Sequence, residues 1–529
     1  MMKKVLKVAM CFAMLSTIVG CSSSMSSTES ATAENTSTTT VAGSTSGYSG
    51  TDYDREVEEE LMVEDFSTEE YNTFRENSIL AVQDQPLSTF SIDVDTASYA
   101  NVRRMILDGY LPDVDAVRTE EFLNYFSYTY DKAEQEEPIG IYTELTDCPW
   151  NEHAKLLAIG ISTEELDTTQ IPPSNLVFLI DTSGSMNEAY KLPLVQESFS
   201  LLVDQLKEED RISIITYAGS NEVLLEGATY SDKQEILDVI FALTASGGTN
   251  GADAIVTAYD LAERYFIEGG NNRIILATDG DLNIGMTSES ALKELVEEKR
   301  EGGVFLSALG FGSGNYKDNK METLSQNGNG NYYYIDSKIE ARKVLVEEMG
   351  STLLTVAKDV KIQVEFNPSY IQGYRLIGFE NRMLQSQDFT DDTKDAGEIG
   401  AGHEVIALYE IITVDSDQGV EGVDLKYQEQ VSVESSEMLN VSVRYKNPDE
   451  DESKQIDLAV VEDDYTATMS DHMKLWASIA EFTMLLRDSE YKGISNYEAV
   501  LERIKETSYF IEDDYVVELY TLVKKASDL

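Results

Sequence analysis

The chain has 529 residues, with 97 Asp plus Glu against 40 Lys plus Arg, for a formal net charge of −57. That length exceeds what one hydrophobic core supports, so several domains are expected, and 42% apolar residues leave enough to bury in each. The composition excludes a wholly disordered acidic polymer, and the charge excludes non-specific binding to nucleic acid or anionic lipid, which needs clustered Lys and Arg.

Lys3, Lys4 and Lys7 precede an uncharged, mainly apolar run over residues 8–20, too short to span a bilayer as a stable helix. Residues 1–20 are read as an export signal. The run ends Ile18-Val19-Gly20-Cys21, which resembles the lipobox of bacterial lipoproteins. The resemblance implies cleavage before Cys21, lipid on Cys21, and an exported protein anchored to the cell membrane or envelope. No later stretch holds 18 consecutive apolar residues, so lipid is the expected anchor. With Cys11 in the signal and Cys21 lipidated, Cys148 stands alone, which excludes an intramolecular disulfide and a Cys-based metal site. Residues 22–50 contain 17 Ser or Thr among 29, and residues 52–70 hold ten acids against the single base Arg55. Neither stretch buries enough surface to offset its ordering entropy, so residues 21–70 are expected to form a disordered tether.

Three blocks follow, over residues 71–174, 175–350 and 351–529. In the first, Phe90, Ile92 and Val94 alternate with polar residues as in a half-buried strand, helical spacing runs from Ala97 to Leu107 and from Ala116 to Phe126, and alternation returns at Lys155 to Ser162. The second block changes rhythm. Short apolar runs at Leu176–Ile180, Ile212–Thr216, Ile274–Ala277, Val304–Leu309 and Tyr332–Ile335 alternate with helical patterns. Val195, Phe199, Leu202 and Leu206 make one apolar stripe, with Pro193 in the first turn where proline is tolerated. Buried strands alternating with helices predict a doubly wound, mainly parallel α/β sheet. In the third block, strands around Val360–Phe366 and Leu439–Tyr445 precede helices carrying Met473, Trp476, Ile479, Thr483 and Leu486, and then Val516–Lys525. That order predicts an α+β segment.

The first strand of the α/β block runs into Asp181-Thr182-Ser183-Gly184-Ser185, a carboxylate and two hydroxyls in a tight loop. Thr249 follows Gly247-Gly248 ahead of a helix, and Asp279 ends another strand in Thr278-Asp279-Gly280. All five fall on the edge where open α/β sheets bind ligands, beyond the carboxyl ends of the strands. They are hard oxygen donors without imidazole or thiolate, which suits Mg²⁺, with Ca²⁺ or Mn²⁺ as alternatives, and argues against Zn²⁺.

Here the chain resembles the von Willebrand factor type A (VWA) domain and its metal-ion-dependent adhesion site. Asp181, Ser183, Ser185, Thr249 and Asp279 match that motif with no element missing. The resemblance implies direct cation ligation by the serines. It implies direct or water-mediated ligation by Thr249 and the aspartates, with one position filled by an acidic residue of a partner protein. Residues 86–104, 359–368 and 395–410 resemble the flanking domains of bacterial YfbK-type VWA lipoproteins, so the likeness covers residues 69–529.

Two further readings are open at this level. Asp281 is read as an exposed turn acid, and Asp93 with Asp95 as a solvated acidic face in preference to a second cation site. His153, His403 and His472 are scattered, and no nucleophile elbow, phosphate loop or dinucleotide glycine pattern occurs, so no enzyme is expected. The expectation is a membrane-tethered, divalent-cation-dependent protein-binding module. The alternative is a structural envelope component whose metal site is filled internally and locks the domains together.

Overall fold

The computed structural model describes residues 68–128, 137–164, 171–248, 251–280, 289–423, 435–448 and 450–529. The signal, Cys21, the tether through residue 67, Thr249 and Asp281 lie outside the described residues.

In chain order, the first segment gives strands β1 (Leu80–Ala81) and β2 (Leu87–Ser91), helices α1 (Ala97–Asp108) and α2 (Thr119–Asn124), then β3 (Ile139–Asp147) and β4 (Lys155–Thr163). The α/β domain follows with β5 (Ser174–Asp181), α3 (Leu192–Val203), β6 (Arg211–Tyr217), β7 (Asn221–Thr229), α4 (Lys233–Ala242) and α5 (Ala252–Arg264). It continues through β8 (Asn271–Thr278), α6 (Glu289–Arg300), β9 (Phe305–Phe311), α7 (Asp318–Asn327), β10 (Tyr332–Ile335), α8 (Lys338–Arg342) and α9 (Met349–Leu353). The last segment holds β11 (Thr355–Phe366), β12 (Ile371–Ile377), β13 (Gly397–Gly400), β14 (Glu404–Thr413), β15 (Glu437–Lys446) and β16 (Lys454–Val461). Helices α10 (Asp471–Leu486), α11 (Tyr497–Lys505), α12 (Tyr509–Glu512) and α13 (Asp514–Ala526) end the chain.

The α/β sheet has the order β10-β9-β8-β5-β6-β7, parallel except for the edge strand β7. Because side chains alternate across a strand, Val177 and Leu179 of β5 pack with α5 and α7 on one face. Leu176, Phe178 and Ile180 pack with α3 and α4 on the other. A strand covered on both faces must be apolar throughout, which is why Leu176–Ile180 reads as an unbroken run.

The flanking segments differ from expectation. Residues 71–174 and 351–529 read in sequence as separate domains, yet their strands share sheets. One antiparallel sheet has the order β1-β12-β14-β4-β3, so strands of the first segment sit at both ends of it. The other, β13-β11-β15-β16, takes β2 as a further partner of β11, with Phe90 opposite Ile362. The two sheets enclose a core that includes Phe90, Leu157, Ile159, Ile362, Val364 and Tyr409. Leu156, Ala158, Ile406 and Leu408 face the other way, into a helical layer built from α1, α2, α10, α11 and α13. β4 is therefore buried on both faces, and not half-exposed as its sequence alternation suggests. The two flanking segments make one unit, into which the α/β domain is inserted.

That unit is pinned to the α/β domain by buried charge. Arg103 of α1 donates to Asp336 (2.6 and 2.7 Å) and to Glu340 (2.8 Å), and also to Glu518 of α13 (2.9 Å). Arg118 donates to Asp318 at the start of α7 (2.7 Å). Asp93 and Asp95 are neither a solvated face nor a cation site. Both are buried, and they clamp Arg382 at 2.9 and 3.0 Å, while Asp95 also accepts the Tyr332 N–H of β10. Burial, with the charge of Asp93 beside it, pushes the Asp95 carboxyl well up.

Candidate functional site

The chain leaves β5 on one side for β6 and returns on the other as β8, so strand order reverses between β5 and β8. Asp181 closes β5 and Asp279 directly follows β8, which places both carboxylates in the crevice at that switch point. Both are 0% exposed and Ser183 is buried, whereas Ser185 is half-buried and Gly184 exposed. The site is thus a buried acidic floor beneath a serine loop that faces solvent.

Backbone hydrogen bonds fix that loop. Thr182 N–H donates to the Tyr217 carbonyl (2.9 Å), Ser246 N–H to the Thr182 carbonyl (2.8 Å), and Gly184 N–H to the Gly247 carbonyl (3.1 Å). The segment that leads to Thr249 therefore lies against the serine loop. Asp181 Oδ1 accepts the Ser183 N–H (2.8 Å) and Oδ2 accepts the Thr278 hydroxyl (2.9 Å). The Ser183 and Ser185 hydroxyls hydrogen-bond to each other, with their oxygens 2.9 Å apart. Burial raises the Asp181 carboxyl to about 6; the Ser183 N–H opposes that shift and the nearby Asp279 charge adds to it.

Asp279 is held differently. Its Oδ2 accepts from the Lys191 ammonium (3.1 Å) and from the Asn315 amide (3.3 Å), while Lys191 also donates to Asn315 Oδ1 (3.2 Å). Gly280, at φ +86°, turns the chain so tightly that an added Cβ would sit 2.5 Å from the Lys317 nitrogen. Only glycine allows that approach, and it brings the loop bearing Asn315 against Asp279.

Four of the five expected ligands are described, and Asp181, Ser183, Ser185 and Asp279 come together; Thr249 falls outside the described residues. Sequence reasoning missed Lys191 and Asn315. A lysine at a helix start carries no spacing signal, and its burial follows from where β9 and α7 place their connecting loop. Thr278 was legible only as the neighbour of Asp279. Among the described residues no group of three or more His, Cys, Asp or Glu is arranged to hold a metal. A cation at this point would meet two carboxylates and the serine hydroxyl oxygens, a donor set that suits a hard ion.

The remaining sequence candidates resolve simply. Cys148 is buried, and burial pushes its thiol well up. His403 accepts the Gly400 N–H at Nδ1 (3.3 Å), a local hydrogen bond within its own turn. His472 meets the Tyr509 hydroxyl (2.6 Å).

The chain matches the family model of the von Willebrand factor type A domain over residues 175–348. It matches a von Willebrand factor model over residues 65–158, and that of "Uncharacterized protein YfbK, C-terminal" over residues 351–529. The Escherichia coli (strain K12) protein YfbK is 39% identical over 468 residues, covering 87% of this chain and 81% of that protein. Among solved structures, a von Willebrand factor type A protein from Catenulispora acidiphila is similar with 12% identity and a TM-score of 0.42, covering 74% of this chain and 91% of that one. Proximal thread matrix protein 1 from the mussel byssus, with a zinc-occupied MIDAS motif, is similar with 20% identity and a TM-score of 0.29, covering 36% and 46% of the two chains.

Proposed function

We propose, from the premise that this chain belongs to the YfbK family of von Willebrand factor type A proteins, that its α/β domain is a divalent-cation-dependent protein-binding module on a lipid-anchored, exported protein. The observation that carries the reading is the convergence of Asp181, Ser183, Ser185 and Asp279 at the switch point, with the two serine oxygens 2.9 Å apart and the loop above them open to solvent. Asp181, Ser183, Ser185, Thr249 and Asp279 are the proposed ligands. The cation supplies one positive centre at which an acidic side chain of a partner is captured. Mg²⁺ is favoured over Zn²⁺ because every donor is a hard oxygen.

The protein is read as a binder and not an enzyme. All three histidines belong to the flanking unit, so Ser183 and Ser185 have no imidazole base for nucleophilic attack. The lipid at Cys21 is the proposed anchor. The charge of −57 constrains the partner, which must present its acid on a basic or neutral surface, so association should slow as salt rises.

One observation favours the second reading, a structural component with an internally completed site. Thr68 N–H donates to the Gly314 carbonyl (2.6 Å), Gly314 N–H to Glu69 (2.8 Å), and Lys317 to Glu70 (2.7 Å), which ties the flanking unit to the loop that positions Asn315 beside Asp279. Arg104 and Lys317 engage those two carboxylates, which favours binding in trans.

Cross-linking in intact cells, with and without chelator, tests the proposal. A partner captured by wild type and lost both with chelator and in Asp279→Ala is the expected result. Capture that is indifferent to both, together with metal-dependent stability, would favour the structural reading.

A further inference from the structure

Asp181 and Asp279 contribute two negative charges to the site, yet they are compensated unequally. Among the described residues Asp181 receives neutral donors, the Ser183 N–H and the Thr278 hydroxyl. Asp279 receives a full positive charge from Lys191, which is 4% exposed and therefore poorly screened by water. The lysine is fixed in that position. Its stem crosses Gly312 so closely that a Cβ there would lie 2.3 Å from Cε, and its ammonium is shared between Asp279 and Asn315. A side chain threaded over a glycine and held at its tip by two oxygens is a built part of the site.

We propose that Lys191 is a tethered counter-cation that sets the affinity of the site for its divalent ion. This rests on the cation-binding reading above and names the residue that tunes it. With Lys191 in place, a divalent ion meets two carboxylates and one ammonium, a net charge of −1. The loaded site then keeps a net positive charge, and a partner's carboxylate can be attracted to it. Without the lysine the two carboxylates would neutralise the ion completely. The ion would bind more tightly but would present no residual charge to a partner. Lys191 thus trades ion affinity for ligand affinity, and in the absence of the ion it keeps Asp279 from standing as an uncompensated buried charge.

The test is titration of the full chain with Mg²⁺ alone, by calorimetry and by thermal shift. Lys191→Met should bind Mg²⁺ about tenfold more tightly or better, because a like charge at close range has been removed. It should also melt lower than wild type in chelator and show a larger rise in Tm on adding Mg²⁺. Lys191→Arg, which keeps the charge, should stay within about threefold of wild-type affinity. If Lys191→Met does not fold, Lys191→Gln, which keeps a polar tip for Asp279 and Asn315 but no charge, should tighten Mg²⁺ binding in the same direction. Equal or weaker binding by Lys191→Met, or by Lys191→Gln when that variant is used, overturns the proposal even if wild type binds Mg²⁺ normally. Binding that appears only in Lys191→Met would support the tethered cation while overturning Mg²⁺ dependence of the wild-type site. If no variant binds, both readings fall.

Discussion

Replacing Arg103 with Leu tests the claim that the α/β domain is locked into the flanking unit by buried charge. Arg103 is 3% exposed and faces Asp336 (9%) and Glu340 (1%), so its loss leaves a buried and a largely buried carboxylate without their guanidinium. Glu518 is 36% exposed and rehydrates, so its pair with Arg103 adds little. The guanidinium also lies 5.6 Å from the ring centroids of both Tyr99 and Tyr125, a contact that Leu does not replace. Breaking a buried pair by removing one partner costs about 3–5 kcal/mol. For a folded body of several hundred residues the unfolding entropy is about 1 kcal/mol/K, so Tm should fall by about 3–5 °C. Urea unfolding and calorimetry on Arg103→Leu measure both. Adding Glu340→Gln to Arg103→Leu should restore part of the loss, because the more deeply buried of the two charges is then gone, giving clear non-additivity. A loss below about 1 kcal/mol, or additive effects of the two changes, would refute the lock.

Two more predictions concern stability. Burial, with a smaller contribution from the Lys343 charge, lowers His403 to about 4, and its Nδ1 accepts the Gly400 N–H, which only the unprotonated ring can do. The unfolded chain protonates this histidine near 6.5, so stability is full above that pH and is lost as pH falls from 6.5 towards 4, by up to about 3 kcal/mol. Stability against pH for His403→Gln should lack that slope; an unchanged slope would remove His403 as its source. Gly493 has φ +51°, and a Cβ there would lie 2.0 Å from the Trp150 carbonyl oxygen, whereas Gly109 has φ +94° with nothing within 4 Å. Gly109→Ala should therefore cost only the backbone term of about 1–2 kcal/mol, and Gly493→Ala measurably more by urea titration. Equal costs would show that the Trp150 contact relaxes freely.

The doubly wound sheet was legible because β5, β6, β8, β9 and β10 are buried on both faces and must be apolar along their whole length. Asp181 and Asp279 stood out for the same reason, as charges that end such runs. β7 was not legible, because as an antiparallel edge strand it leaves most of its residues at least partly exposed. The sharing of sheets between the two flanking segments left no local trace either. Pairing of β2 with β11 joins residues more than 250 positions apart, and nothing in LSTFS says which strand it will meet. Acidic residues were misjudged for a related reason. Asp93 and Asp95 read as solvated because their cation, Arg382, is far along the chain. Lys191 escaped notice in the same way, since its partner Asp279 is 88 residues distant.

The most direct measurement is calorimetric titration of Mg²⁺ into the wild-type chain and into the double variant Asp181→Ala with Ser183→Ala. Wild type should bind at a single site and gain thermal stability. The double variant should lose both the heat and the stabilisation, while the histidine-dependent pH profile of the flanking unit persists. Mg²⁺ binding of undiminished affinity in the double variant would place the cation elsewhere and contradict the account.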